Sequence, residues 1–81
     1  MKLKTKIMGN RVHEVGYRVF LLRKALELGM ERFNAYNSKE NGGQVLFALL
    51  DGDKDQINEF RAFAIENRPE NAEVIKILFE E

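Results

Sequence analysis

Charged and less polar residues alternate from Lys2 to Ile7, which gives an extended segment one apolar face and predicts a first strand ended by Gly9-Asn10-Arg11. From Arg18 to Leu28 the period changes: Leu21, Leu22, Ala25 and Leu28 recur at helical spacing, and Arg23, Lys24 and Glu27 fall elsewhere. Gly29 stands where a left-handed C-terminal cap is expected. Phe33, Ala35 and Tyr36 place a second strand over Arg32 to Asn37. The run Ser38 to Gly43 carries turn residues, and the apolar segment Gln44 to Leu50 follows, so the two strands are expected to form a hairpin. A third strand this apolar on both faces implies a central place in a sheet. Asp53 and Gln56 have capping-box spacing, while Ile57, Phe60, Ala64 and Asn67 form a stripe with Phe63 beside it. Pro69 stops the helix, which is predicted over Asp53 to Asn67, and the β-prone run Ala72 to Phe79 supplies the last strand.

The order is strand, helix, strand, strand, helix, strand. It predicts an α+β fold, a ferredoxin-like βαββαβ sandwich in which a four-stranded antiparallel sheet carries two helices on one face. Leu21, Ala25, Leu28, Ile57, Phe60 and Phe63 are the expected contacts between helices and sheet, with Phe20 in the same core. Phe47 is expected to pack against the second helix; an aromatic on a sheet strand also suits RNA recognition, but the paired aromatic and basic signatures of that mode are missing.

Composition narrows the chemistry. The 81 residues suggest one domain spanning 1–81, and 44% hydrophobic content with six Phe can furnish its core. No cysteine is present, which excludes disulfides, thiolate metal ligands and cysteine nucleophiles. The formal net charge is zero, which argues against a nucleic-acid partner. Charge is nevertheless uneven, with nine Lys and Arg against four acids in residues 1–40 and four against nine in residues 41–81. No apolar run is long enough to span a bilayer, so a cytoplasmic protein without a membrane partner is the expectation; a monomer without a metal is expected as well.

The segment His13-Glu14-Val15-Gly16-Tyr17 leads into the first helix. The N-terminal amides of a helix lack intrahelical partners, and the aligned peptide dipoles favour an anion there. Arg18 follows, and its guanidinium can bind two phosphate oxygens at once. His13 is a candidate donor to the same anion, weighed against a surface histidine without catalytic duty.

Asn10-Arg11-Val12-His13-Glu14-Val15-Gly16-Tyr17-Arg18, followed by Phe20, Ala25 and Leu28-Gly29-Met30, resembles without a gap the acylphosphatase pattern Gly-Arg-Val-Gln-Gly-Val-Gly-Phe-Arg and its helix. Asn37 resembles the Asn that ends the family's second strand, Asp51-Gly52 its Glu-Gly exit, and Pro69-Glu70-Asn71-Ala72-Glu73-Val74 its entry to the last strand. The resemblance implies hydrolysis of acyl phosphates to a carboxylate and inorganic phosphate, with no cofactor. It makes the loop from His13 through Glu14, Val15, Gly16 and Tyr17 to Arg18 the phosphate-binding element, and Arg18 and Asn37 the catalytic pair, the Asn orienting water. The expected partner is a small acyl phosphate or inorganic phosphate. The alternatives are a catalytically inactive relative that binds phosphate or a partner, and a ferredoxin-like interaction domain.

The chain departs from the pattern at three places. Glu14 stands where the family has Gly, putting a carboxylate beside the phosphate and a non-glycine residue where φ above zero is costly. The stretch from Leu28 to Asn37 is one residue longer, which would turn Tyr36 rather than Asn37 to the site if the extra residue lay within the strand. The turn from Asn37 to Gly43 is two residues longer.

Overall fold

A computed structural model describes residues 1–81. The elements are β1 (Lys2–Arg11), α1 (Tyr17–Glu27), β2 (Arg32–Glu40), β3 (Gly43–Asp51), α2 (Lys54–Glu66) and β4 (Glu73–Glu80). The strands form one antiparallel sheet in the order β2-β3-β1-β4, so the predicted ferredoxin-like arrangement is present and β3 is central as its sequence implied. β1 is longer than expected, running through Gly9 and Asn10 to Arg11.

Alternation along the strands decides which residues meet the helices. Leu3, Thr5 and Ile7 of β1 pair with Leu50, Ala48 and Leu46 of β3, and all six are buried on the helix side. Leu21 and Ala25 of α1 and Ile57, Phe60 and Ala64 of α2 close over them with no exposed surface. Leu28, Phe20 and Phe63 pack half-buried against this core, and Phe20 lies 5.1 Å from Phe63 between ring centroids. Burying a side chain such as Phe60 in full contributes about 1.5–3 kcal/mol. Leu22, although it fits the helical spacing, stays 37% exposed on the flank of α1.

The helix ends follow from local chemistry. Asp53 caps α2: its side chain accepts from the Gln56 N–H at 2.8 Å, and the Gln56 side chain accepts from the Asp53 N–H at 2.9 Å. The same Gln56 amide donates to the Leu28 carbonyl at 2.9 Å, tying the two helices together. At the end of α1, Met30 N–H reaches the Ala25 carbonyl and Gly29 N–H that of Leu26, the paired bonds of a Schellman cap.

Two expectations need correction. The turn after β2 is only Asn41-Gly42, with φ of 51° and 80°, because an Asn-Gly pair satisfies a type I′ hairpin without help from its neighbours. Ser38, Lys39 and Glu40 therefore continue β2, and the two residues that lengthen this connection extend the ladder. Phe47 is not in the core. Leu46, Ala48 and Leu50 face the helices, so the residue between them points to the open face. There its ring stacks on Tyr36 at 5.3 Å, with the ammonium groups of Lys4 and Lys6 5.0 and 5.8 Å from its centroid. Lysine stems and the tyrosine cover the ring, making this a solvated face with a shielded aromatic. At the other edge, β4 loses register beside Gly9 and leaves Ile75 unpaired and exposed, a bulge of the kind that blunts an edge strand.

Candidate active site

The segment between β1 and α1 is shaped by two left-handed residues, Glu14 at φ 57° and Gly16 at φ 75°. Gly16 is the residue that caps α1, and no side chain there occupies the helix amides. The N–H groups of Glu14, Val15, Gly16, Tyr17, Arg18 and Val19 have no acceptor within the chain; the first loop-to-helix bond is Phe20 N–H to the Gly16 carbonyl. The first turn of α1 contains no acid, so its positive dipole end is not neutralised from within the helix.

The start of the loop is held from β3. Gln44 Oε1 accepts from Val12 N–H at 2.8 Å and from His13 N–H at 3.0 Å. These two bonds satisfy the amides that precede the unpaired run, and buried Val12 anchors the same point. Sequence reasoning did not single out Gln44. Its signal was a lone polar residue opening an otherwise apolar strand.

A small cavity of about 80 Å³ lies at this loop, lined by Val12, Glu14, Gly16, Tyr17, Arg18, Val19 and Asn37. Arg18 is exposed and belongs to no ion pair. Asn37 reaches the cavity because the β2–β3 ladder is unbroken from Arg32 to Glu40, which puts Asn37 on the same face as Phe33 and Ala35. The extra residue before it is thus absorbed ahead of Arg32, and Tyr36 points to the opposite face. His13 and Val15 do not line the cavity. The His13 Nε2–H donates to the Val45 carbonyl at 2.8 Å, and Val15 packs toward the core.

Tyr17 is 2% exposed and its hydroxyl has no hydrogen-bond partner within the chain. Burial pushes its phenol above the ordinary tyrosine value, while the positive charge of Arg68 partly opposes the shift.

A larger cavity of about 590 Å³ opens at the other end of the sheet, where Lys2, Lys4 and Arg32 are matched by Glu31, Asp51, Glu80 and Glu81. Four acids against three bases give it no preference for an anion. The loop cavity is smaller, but it combines unpaired amides, a guanidinium and a carboxamide. Such groups can bind a tetrahedral oxyanion and hold a water beside it.

Comparison with solved structures agrees with the fold. The chain is similar to the acylphosphatase from Bacillus subtilis, with 22% identity and a TM-score of 0.68 over 99% of this chain and 83% of that one. It is similar to the acylphosphatase from Coxiella burnetii, with 22% identity and a TM-score of 0.66 over 99% and 79% of the two chains. Full-length HypF, solved in a phosphate- and nucleotide-bound form, gives a TM-score of 0.81 at 21% identity; the match covers 99% of this chain and 10% of HypF. No curated protein matches by sequence. The acylphosphatase family profile matches residues 3–81, and with that extent of agreement the chain belongs to the acylphosphatase family.

Proposed function

We propose that the protein hydrolyses acyl phosphates to a carboxylate and inorganic phosphate at the loop cavity. The observation that supports this most is the convergence of Arg18, the amide-rich loop and Asn37 on one small space. In this reading the guanidinium of Arg18 and the amides of the loop neutralise the phosphoryl oxygens. The Asn37 carboxamide orients a water by accepting from it and donating to it.

Water adds to phosphorus as the bond from phosphorus to the acyl oxygen breaks. The acyl oxygen departs with the bonding electron pair as a carboxylate. One water proton stays on the new P–OH group and the other passes to a phosphate oxygen or to solvent. A carboxylate is a good leaving group, so charge neutralisation and orientation carry most of the catalytic task.

The test is release of phosphate from benzoyl phosphate by the purified chain, with Arg18→Ala as the control. Turnover that disappears in the variant supports the reading. Phosphate binding with no turnover in the parent protein would favour a binding domain, with Glu14 as the first residue to examine.

A further inference from the structure

Next to the loop cavity a second depression of about 340 Å³ runs between α1 and β2, lined by Arg18, Val19, Leu22, Phe33, Asn34 and Ala35. Arg18 and Val19 line both spaces, so the two adjoin at the guanidinium-bearing residue. The groove is apolar and open. Val19 is 53% and Leu22 37% exposed, and Leu26, one turn further along α1, is 64% exposed. Residues 19, 22 and 26 keep helical spacing, so α1 bears a second apolar stripe besides the one buried on the sheet. The groove itself ends at Leu22 on the helix side and at Phe33 on the strand side.

From this adjacency we infer that the groove takes the acyl part of the substrate, and that the protein prefers acyl phosphates with an apolar acyl chain. The inference rests on the hydrolytic reading of the adjoining cavity. That cavity has room for a phosphoryl group and little more, so a phosphate held by Arg18 leaves its substituent at the rim shared with Val19. Along β2 the order is Asn37, then Ala35 and Phe33. The water-holding residue and the groove therefore follow one another past Arg18, an order compatible with in-line displacement. Polar or short acyl groups gain nothing from Val19, Leu22 and Phe33, whereas each methylene laid on them leaves water.

The experiment uses methyl-, butyl- and hexylphosphonate, which carry no hydrolysable bond, titrated into the full chain by calorimetry, alongside acetyl, butyryl and hexanoyl phosphate as substrates. Affinity for the phosphonates is expected to rise about twofold per methylene, half the gain of full burial because the groove is open on one side. Leu22→Glu, an exposed helix position, should flatten that dependence by placing a carboxylate in the groove. Equal affinity for methyl- and hexylphosphonate, no binding of either, or a chain-length dependence that survives Leu22→Glu overturns the inference. So does a dimer in sedimentation that Leu22→Glu dissociates, since a second copy would then occupy the groove. Chain-length-dependent phosphonate binding without turnover of any acyl phosphate leaves the groove assignment standing and removes the hydrolytic reading.

Discussion

Arg18, in the first turn of α1, and Asn37, near the hairpin end of β2, line the same cavity although they come from different layers of the fold. The relationship depends on an unbroken β2–β3 ladder, since one residue of slip would exchange Asn37 for Tyr36. The two residues are expected to fail differently. Arg18→Ala should lower kcat/KM for benzoyl phosphate by about 10²–10³ and remove the rise in Tm that phosphate gives, because it strips charge from ground and transition states alike. Asn37→Ala should lower kcat by about 10² with phosphate affinity unchanged, because orienting water matters only in the transition state. Wild-type turnover in Asn37→Ala would show that the carboxamide is not the water holder.

Glu14 is the unusual member of the loop, a carboxylate on the cavity wall with a left-handed backbone. Glu14→Gly removes the like charge and should tighten phosphate binding about fivefold at low salt, the size of one solvent-screened charge interaction. Stability should change little. Release of about 1–2 kcal/mol of backbone cost is offset by about 0.5–1 kcal/mol of added unfolded-chain entropy. Calorimetric titration with phosphate and a denaturant melt separate the two effects, and weaker binding in the variant would mean that Glu14 helps to shape the loop.

The helices were legible in the sequence because their signals are local: Asp53 and Gln56 cap each other across one turn, and Leu21, Ala25, Ile57 and Phe60 repeat at the helical period. Phe47 was misread for the converse reason. Where both faces of a strand are apolar, alternation carries no parity, and only the partner strands reveal that Leu46 and Ala48 face inward. The side of β2 that carries Asn37 was open for a related reason, since an extra residue near the strand has no fixed place until β3 sets the register. Gln44 was invisible as part of the site because its bonds to Val12 and His13 join residues brought together only by the sheet. The loop and Arg18 were visible because the residues of the motif are contiguous.

The correction at Phe47 has a measurable counterpart. Phe60 is fully buried, and Phe60→Ala should cost about 3–5 kcal/mol in a denaturant melt. Phe47→Ala removes only a stacked ring and its lysine contacts on the open face, and should cost about 1 kcal/mol. Equal losses would return Phe47 to the core.

Tyr17 places a phenol in the core at the base of the loop before α1, and its hydroxyl finds no partner within the chain. A buried hydroxyl without a hydrogen bond costs stability, so Tyr17→Phe keeps the ring, removes the unmet group and should gain about 1 kcal/mol. The same burial raises the phenol above its ordinary value, Arg68 only partly opposing it. In the unfolded chain the phenol loses its proton at about pH 10, while in the folded chain it keeps it to higher pH. Above about pH 10 the unfolded state therefore binds fewer protons than the folded state, and stability falls as pH rises toward the folded value. The stabilising share is fully present below that window. Melts of the parent chain should weaken above pH 10, and Tyr17→Phe should remove this part of the decline. If the variant is less stable at neutral pH and declines equally steeply in alkali, the hydroxyl has a partner in solution, and a bound water linking it to the loop becomes the next thing to look for.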